Sequence, residues 1–265
     1  MLRPRIIPSL LIHKGGLVKT QQFKAPKYVG DPINAVKIFN EKESDELMVV
    51  DIDATVNKAE PNYALIAKLA AECRMPLCYG GGITTSDQAA RIIALGVEKV
   101  SVSSAAAADP SLLTRMADAI GRQSVVAVLD VRKKNGMFSK GYELCTHNAR
   151  NVHKLDPVVF AQQLQQAGAG EIVINSIDRD GEMKGYDIEL AQQMRAAIKV
   201  PLTLLGGAGS LDHIGELLGA CGVIGAAAGS LFVFKGQYRA VLINYPTPQQ
   251  KDQLYCTALR APTKK

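Results

Sequence analysis

Short apolar runs alternate with amphipathic stretches along the whole chain. The runs Arg5–Ile12, Leu47–Asp53, Lys99–Ser104, Ser124–Asp130 and Glu171–Ile177 are rich in Val, Ile and Leu and too short for core helices. That is the profile of parallel strands buried on both faces. Two further runs, Pro76–Ile83 and Pro201–Gly209, start at proline and break into glycines, and Val223–Leu231 is built mostly of small residues. Between the runs, apolar positions recur at helical spacing, as at Leu65, Ile66, Leu69 and Ala70 within the segment Asn62–Cys73. Helices are also expected over Ser86–Leu95, Pro110–Ile120, Pro157–Ala167, Ile188–Ile198 and Leu211–Cys221. Another opens at Pro32, with Asp31 as its N-cap. His13–Val29 reads as a long glycine-containing excursion, and residues 137–155 as a polar one, forming a hairpin over the site. Eight strand–helix units joined by short connections predict an α/β fold, a (β/α)8 barrel forming one domain over residues 1–265. A doubly wound dinucleotide fold calls for Gly-x-Gly-x-x-Gly after the first strand. The residues there are His13, Lys14, Gly15, Gly16 and Leu17, so that fingerprint is absent.

The pattern repeats itself. Pro76–Ile83 and Pro201–Gly209 have the same order of proline, apolar run and glycines, half a chain apart, and each leads into a helix. The strands that follow, Val100–Ala106 and Val223–Leu231, also echo each other. A twofold internal repeat of half-barrels follows, with one anion site per half. Glycines at a strand's C-terminal end, ahead of a helix N-terminus, offer backbone N–H groups and a positive dipole end to a phosphate.

Composition narrows this picture without redirecting it. With 265 residues, 47% of them hydrophobic, the chain can bury a full barrel core. Its five cysteines (Cys73, Cys78, Cys145, Cys221, Cys256) lack close pairing, which points to reduced thiols in a cytoplasmic protein. The formal charge of +6 is spread along the chain, so a soluble surface is expected rather than nucleic-acid binding. The longest nearly apolar run, Gly222–Phe234, is too short to span a membrane. No cofactor and no metal is expected. His13, His147, His153 and His213 show no ligand spacing and are assigned no role.

The chemistry of such a barrel sits at the C-terminal strand ends. Candidate phosphate- or substrate-binding residues there are Lys19, Asp51, Gly82, Ser103, Ser104, Asp180, Gly181, Gly207, Gly229 and Ser230. Two cradles facing one mouth imply a ligand with a phosphate at each end. Asp130 ends an otherwise apolar strand and is the candidate general acid or base. At the opposite end, Arg5, Glu46, Lys99 and Glu171 fall at or just before strands one, two, four and six, with Glu98 alongside. They form either a neutralised salt-bridge ring or a gate for a small polar molecule.

Lys19, Gly30–Pro32, Asp45–Leu47, Asp51, Gly80–Ile83, Asp130, Asn175–Gly181 and Gly206–Gly209 together give the chain a nearly full-length resemblance to the HisF family, the cyclase subunit of imidazole glycerol phosphate synthase. The resemblance implies a separate HisH-like glutaminase docked on the N-terminal face. It implies ammonia passing the charged ring and the barrel axis to a bisphosphate ribonucleotide, and two aspartates, on strands one and five, closing the imidazole ring. One departure is decisive. Where the family carries the first-strand aspartate, this chain has Leu11, while Asp130 is retained. Ser103 and Ser104 also replace the usual Asn-Thr pair. With Lys27–Asn34, Cys78, Tyr79, Gly229–Phe232 and Arg239–Tyr245, these changes resemble the WbuZ-type paralogues of surface-polysaccharide gene clusters. Such paralogues imply ammonia supply to an N-acetyl sugar amidotransferase, a reading preferred here over an authentic cyclase. A non-catalytic scaffold that binds a phosphorylated metabolite is the third reading. It expects a blocked axis, whereas a conduit expects an open one lined in part by Cys78.

Overall fold

The structure, a computed structural model, describes residues 3–135 and 141–260. Eight parallel strands close on themselves: β1 (Arg5–His13), β2 (Leu47–Asp51), β3 (Leu77–Gly80), β4 (Lys99–Val102), β5 (Val125–Lys133), β6 (Glu171–Ser176), β7 (Leu202–Leu205) and β8 (Gly225–Ala228). Each pairs with its neighbours in sequence, and β1 pairs with β8 to complete the ring. This is the expected (β/α)8 barrel. Most of the expected helices start where their caps dictate. Asp31 caps Pro32–Glu41, Thr85 and Gln88 form a capping box ahead of Ser86–Ala94, and Ser210 caps Leu211–Cys221.

Alternation along each strand divides residues between two environments. Ile6, Leu10, Leu47, Leu77 and Ile172 belong to the large buried core shared with the helices. Ile7, Met48, Cys78, Val126, Val173 and Ala227 point inward and form a separate apolar plug across the barrel. Gly229, which follows β8, makes room for the long side chain of Lys19. Arg5 lies opposite Gly225 in register, and Lys19 Nζ rests where a side chain on Gly229 would sit.

Two segments differ from expectation, and the expected polar hairpin is present in its described part. The excursion His13–Val29 is an antiparallel pair, Gly16–Gln21 and Lys24–Gly30, the first of which folds back on β1. The polar segment at 137–155 contains the hairpin Tyr142–Thr146 and Asn151–His153, which extends β5. Residues 136–140 lie outside the described residues. A C-terminal helix, Pro248–Arg260, was not expected; it is polar on average, and it docks through Leu254, Tyr255 and Ala258 on the core as well as through polar contacts. No helix among the described residues is long and apolar enough to cross a membrane.

That last helix holds the base of the barrel. Lys251 Nζ donates to Asp45 Oδ1 (2.6 Å) and Tyr255 Oη to Asp45 Oδ2 (3.3 Å), and the same oxygen accepts from the Ile6 N–H (2.9 Å). Just ahead of the helix, Tyr245 Oη donates to the Ile6 carbonyl (2.8 Å) and accepts from the Asp45 N–H (3.0 Å). The buried phenol thus bridges β1 to the start of β2. Replacing Tyr245 with Phe leaves two buried main-chain groups without a partner, at a cost of about 1–3 kcal/mol. Tyr255→Phe, which removes only one longer bond, is expected to cost less than half as much. Denaturant unfolding of the two variants checks the order, and equal losses would mean that the phenol of Tyr245 serves only as packing.

Candidate functional site

A cavity with about 1320 Å³ of empty space, part of it open to solvent, occupies the C-terminal end of the barrel. Lys19, Asp51, Gly82, Ser103, Ser104, Asp130, Asp180, Gly181, Gly207, Gly229 and Ser230 all line it, and so does Leu11. The fold therefore brings together every residue expected at the mouth.

The glycine repeat has a steric cause as well as a chemical one. Gly81 and Gly207 have φ of +115° and +111°. A Cβ on Gly81 would lie 2.3 Å from the Asp51 carbonyl oxygen, and one on Gly207 would lie 2.2 Å from that of Gly185. Gly81 thus admits the end of β2 against its strand end, and Gly207 admits the backbone of the loop after β6. Nearby polar groups then take up part of the first cradle, at Gly82 and Ser104. Thr55 Oγ1 accepts from the Gly82 N–H (3.3 Å), and Ser104 Oγ accepts from the His147 N–H (3.2 Å). The Ser104 hydroxyl proton is left to donate elsewhere.

Two expected binding carboxylates are occupied by structure. Asp51 Oδ1 accepts from the N–H groups of Asp53 (2.9 Å) and Ala54 (3.1 Å), which shapes the loop after β2. Asp180 Oδ2 accepts from Thr20 Oγ1 (2.7 Å) and the Phe23 N–H (3.2 Å), tying the first hairpin to the loop after β6. Burial raises the proton affinity of both carboxyls, and these bonds oppose it.

Asp130 stands apart. It lies opposite Asn175 in the β5–β6 register, so the Asn175 amide reaches it directly (Nδ2 to Oδ1, 2.9 Å). Ser103 Oγ makes a longer contact at 3.4 Å. Burial pushes the Asp130 carboxyl up to about 6, against these two hydrogen bonds. A carboxyl that exchanges its proton near neutrality suits general acid–base work. Across the cavity, Leu11 offers only a hydrocarbon surface.

Sequence reasoning missed three mouth residues. Asn175 was read only as part of a motif. His147 was left without a role, yet it lines the cavity, and Asn148 beside it donates to the Ile52 carbonyl across the mouth (2.9 Å). His147, Asn148 and Ala149 are consecutive residues with φ between 55° and 62°, a run of left-handed backbone without glycine that the sequence did not announce.

At the opposite end the four expected charges do meet. Arg5 donates to Glu46 and, through Nη2, to Glu171 Oε1 (2.7 Å). Lys99 Nζ donates to Glu46 Oε1 (2.8 Å) and Glu171 Oε2 (2.9 Å). Each carboxylate thus lies between two cations. Thr203, which was not expected, adds a hydroxyl to Glu171 Oε1 (2.6 Å). Burial disfavours the Glu171 charge, but the hydrogen bonds and charges of Arg5 and Lys99 outweigh it and hold the carboxyl at about 2. Glu98 is not in the ring: its carboxylate accepts from the Leu77 N–H (2.7 Å) and anchors the start of β3.

Between ring and mouth the axis is not an open pore. A second, much smaller cavity lies directly above the ring, lined by Glu46, Glu171, Thr203, Cys78 and the apolar plug. Met48 lines both cavities and separates them. Among the described residues, no cluster of three His, Cys, Asp or Glu side chains could hold a metal ion.

Residues 5–239 match the family described as Histidine biosynthesis protein. A Vibrio vulnificus (strain YJ016) chain provisionally named imidazole glycerol phosphate synthase subunit hisF3 is 56% identical over 253 residues, covering 96% of both chains. A Leptospira borgpetersenii chain, provisionally named subunit HisF of the same synthase, is 54% identical over 96% of this chain and 100% of its own length. Imidazole glycerol phosphate synthase subunit HisF of Clavibacter michiganensis subsp. michiganensis is 38% identical, covering 87% of both chains. With its closed barrel, duplicated glycine cradles and four-charge ring, the chain belongs to the histidine biosynthesis protein family as a HisF-type (β/α)8 barrel.

Proposed function

We propose that this chain is the synthase-side subunit of a glutamine-dependent amidotransferase and that it has lost ring-closing activity. A HisH-like glutaminase docks on the N-terminal face, and ammonia crosses the ring and the plug to the mouth. The mouth holds a phosphorylated small molecule through Lys19, Gly82, Ser104, Gly181, Gly207, Gly229 and Ser230. The final acceptor is an N-acetyl sugar used in surface-polysaccharide synthesis, handled by a further amidotransferase. The reading is carried by one observation: Leu11 faces the same cavity as Asp130, so acid–base work shared by two carboxylates has one.

The geometry suits the transfer of a neutral molecule. Lys99 contributes one of the two cations that pin Glu46 and Glu171, and swinging it outward opens the ring on one side. Above the ring, Ile7, Met48, Val126 and Val173 offer no partners to an ion. Ammonia crosses such a collar at low cost, whereas ammonium would lose its hydration uncompensated. Passage requires the Met48 side chain to rotate, and unbranched methionine has the rotamer freedom for this. A scaffold that binds a phosphometabolite without passing ammonia is the second reading, favoured by the doubly closed axis.

Three expectations follow. In an ammonia-dependent cyclase assay the wild-type chain should turn over the histidine-pathway intermediate at background rates, because one positioned acid–base group is typically worth about 10²–10⁴-fold. Leu11→Asp should restore part of the activity, and adding Asp130→Asn should abolish that gain. Wild-type turnover at ordinary biosynthetic rates would make this chain an authentic cyclase. Mixed with its cognate glutaminase, the chain should form a one-to-one complex in which glutamine hydrolysis changes. Lys99→Glu sets three carboxylates against one cation in the ring, and should weaken the coupling of the two activities more than it lowers the melting temperature. Failure of the wild-type chain to associate with any HisH-like glutaminase contradicts the conduit.

A further inference from the structure

One buried group at the mouth has surroundings that suit more than a contact to phosphate. Lys19 sits on the strand Gly16–Gln21, which runs antiparallel to β1 with Val18 opposite Leu11. Its side chain turns into the barrel and is only 5% exposed. Nζ donates to the main-chain carbonyl of Ser9 and lies against Gly229, where an added Cβ would be 2.5 Å away. Among the described residues no carboxylate comes within salt-bridge distance of it. The nearest opposing charge, Asp180, already accepts two hydrogen bonds from Thr20 and Phe23. The contrast with Lys99, held by two carboxylates, is complete.

A buried ammonium without a counter-ion is costly, and the group answers by giving up its proton. Burial pulls the Lys19 amine down to about 8, with Asp180 opposing. The neutral amine can still donate one N–H to the Ser9 carbonyl while its lone pair is free. Such a desolvated lysine is a nucleophile toward carbonyl carbon. The same cavity holds Asp130 and the second cradle of Gly207, Gly229 and Ser230, with Gly229 next to Lys19.

We propose that Lys19 is a covalent binding site for a short phosphorylated aldehyde or ketone, whose phosphate lies in the second cradle and whose carbonyl carbon forms an imine with the Lys19 amine. The nitrogen lone pair attacks the carbonyl carbon, the carbonyl oxygen takes up a proton, and the nitrogen loses one, giving a carbinolamine. The Asp130 carboxyl then protonates the hydroxyl, water leaves with the C–O bond pair, and the nitrogen's remaining proton goes back to the Asp130 carboxylate. The net change is amine plus carbonyl to imine plus water, with no oxidant or reductant. The proposal rests on the mouth as a phosphate site and is independent of ammonia delivery.

The test is trapping of the full-length chain with glyceraldehyde 3-phosphate, quenched by borohydride, which donates hydride to the imine carbon. Intact mass and peptide mapping read the product. One adduct per chain at Lys19 is expected at pH 7 to 8, while the exposed lysines stay largely unlabelled. Below about pH 8 the amine gains its proton, so labelling should fall about tenfold per unit, opposite in sign to a phosphate-only contact, which a charged lysine favours. Excess inorganic phosphate should suppress the adduct, and glyceraldehyde without phosphate should give at least tenfold less. Asp130→Asn should slow formation at least tenfold, and Leu11→Asp should reduce it by placing a carboxylate where the ammonium can pair. Calorimetry with inorganic phosphate separates the failures. Phosphate binding without an adduct at Lys19 makes the lysine a phosphate counter-ion and overturns the imine. Neither binding nor adduct overturns the phosphate reading of the mouth as well, and adducts spread evenly over exposed lysines overturn the assignment to Lys19.

Discussion

Charge carried into the barrel must be neutralised where it lies, and the two ends of this barrel answer that demand differently. At the floor, Arg5, Lys99, Glu46 and Glu171 are paired in a closed cycle, and Thr203 supplies one more bond. Such a cycle says little about stability, since desolvation of four ions offsets much of their attraction. It does fix a neutral, closed plane. At the mouth the charges are left incomplete. Among the described residues, Asp130 has amide and hydroxyl partners but no cation, and Lys19 has a carbonyl but no carboxylate. Burial therefore moves both toward their neutral forms, and both titrate within reach of physiological pH. Groups with displaced proton affinities in a concave, anion-shaped cavity are where chemistry is expected.

Leu11 gives this asymmetry its meaning. A carboxylate at that position would complete an acid–base pair with Asp130 and supply Lys19 with a counter-charge. The leucine removes both possibilities at once and leaves the cradles, the ring and the barrel intact. On the proposed reading, the chain keeps the cradles for a phosphorylated ligand and lacks one half of a ring-closing pair.

Much of this could be read from the residues in order. Alternating strands and helices, the glycine echo and the capping residues Asp31, Thr85 and Ser210 are local signals, and they gave the barrel and its mouth. The four ring charges were found because each stands at a strand start. What escaped depends on contacts distant in sequence. Thr203 joins the ring from β7, Asn175 reaches Asp130 only through strand register, and Met48 plugs the axis only once eight strands converge. Asp51 and Asp180 do line the mouth, but the loop contacts that occupy one oxygen of each carboxylate, from N–H groups and a hydroxyl, could not be read from their residue types. The helix Pro248–Arg260 was missed because its residues are polar on average, although Leu254, Tyr255 and Ala258 pack on the core and Lys251 reaches Asp45.

The central claim is that this barrel passes ammonia along its axis to an acceptor other than the imidazole precursor. Isotope dilution addresses it directly. Glutamine labelled with nitrogen-15 at its amide is supplied to the assembled glutaminase, this chain and the cognate sugar amidotransferase, with excess unlabelled ammonium in solution. A conduit predicts sugar product whose nitrogen carries the glutamine label well above its fraction in bulk ammonia, an enrichment that Lys99→Glu diminishes. Product nitrogen matching the bulk fraction with the wild-type chain would contradict the account.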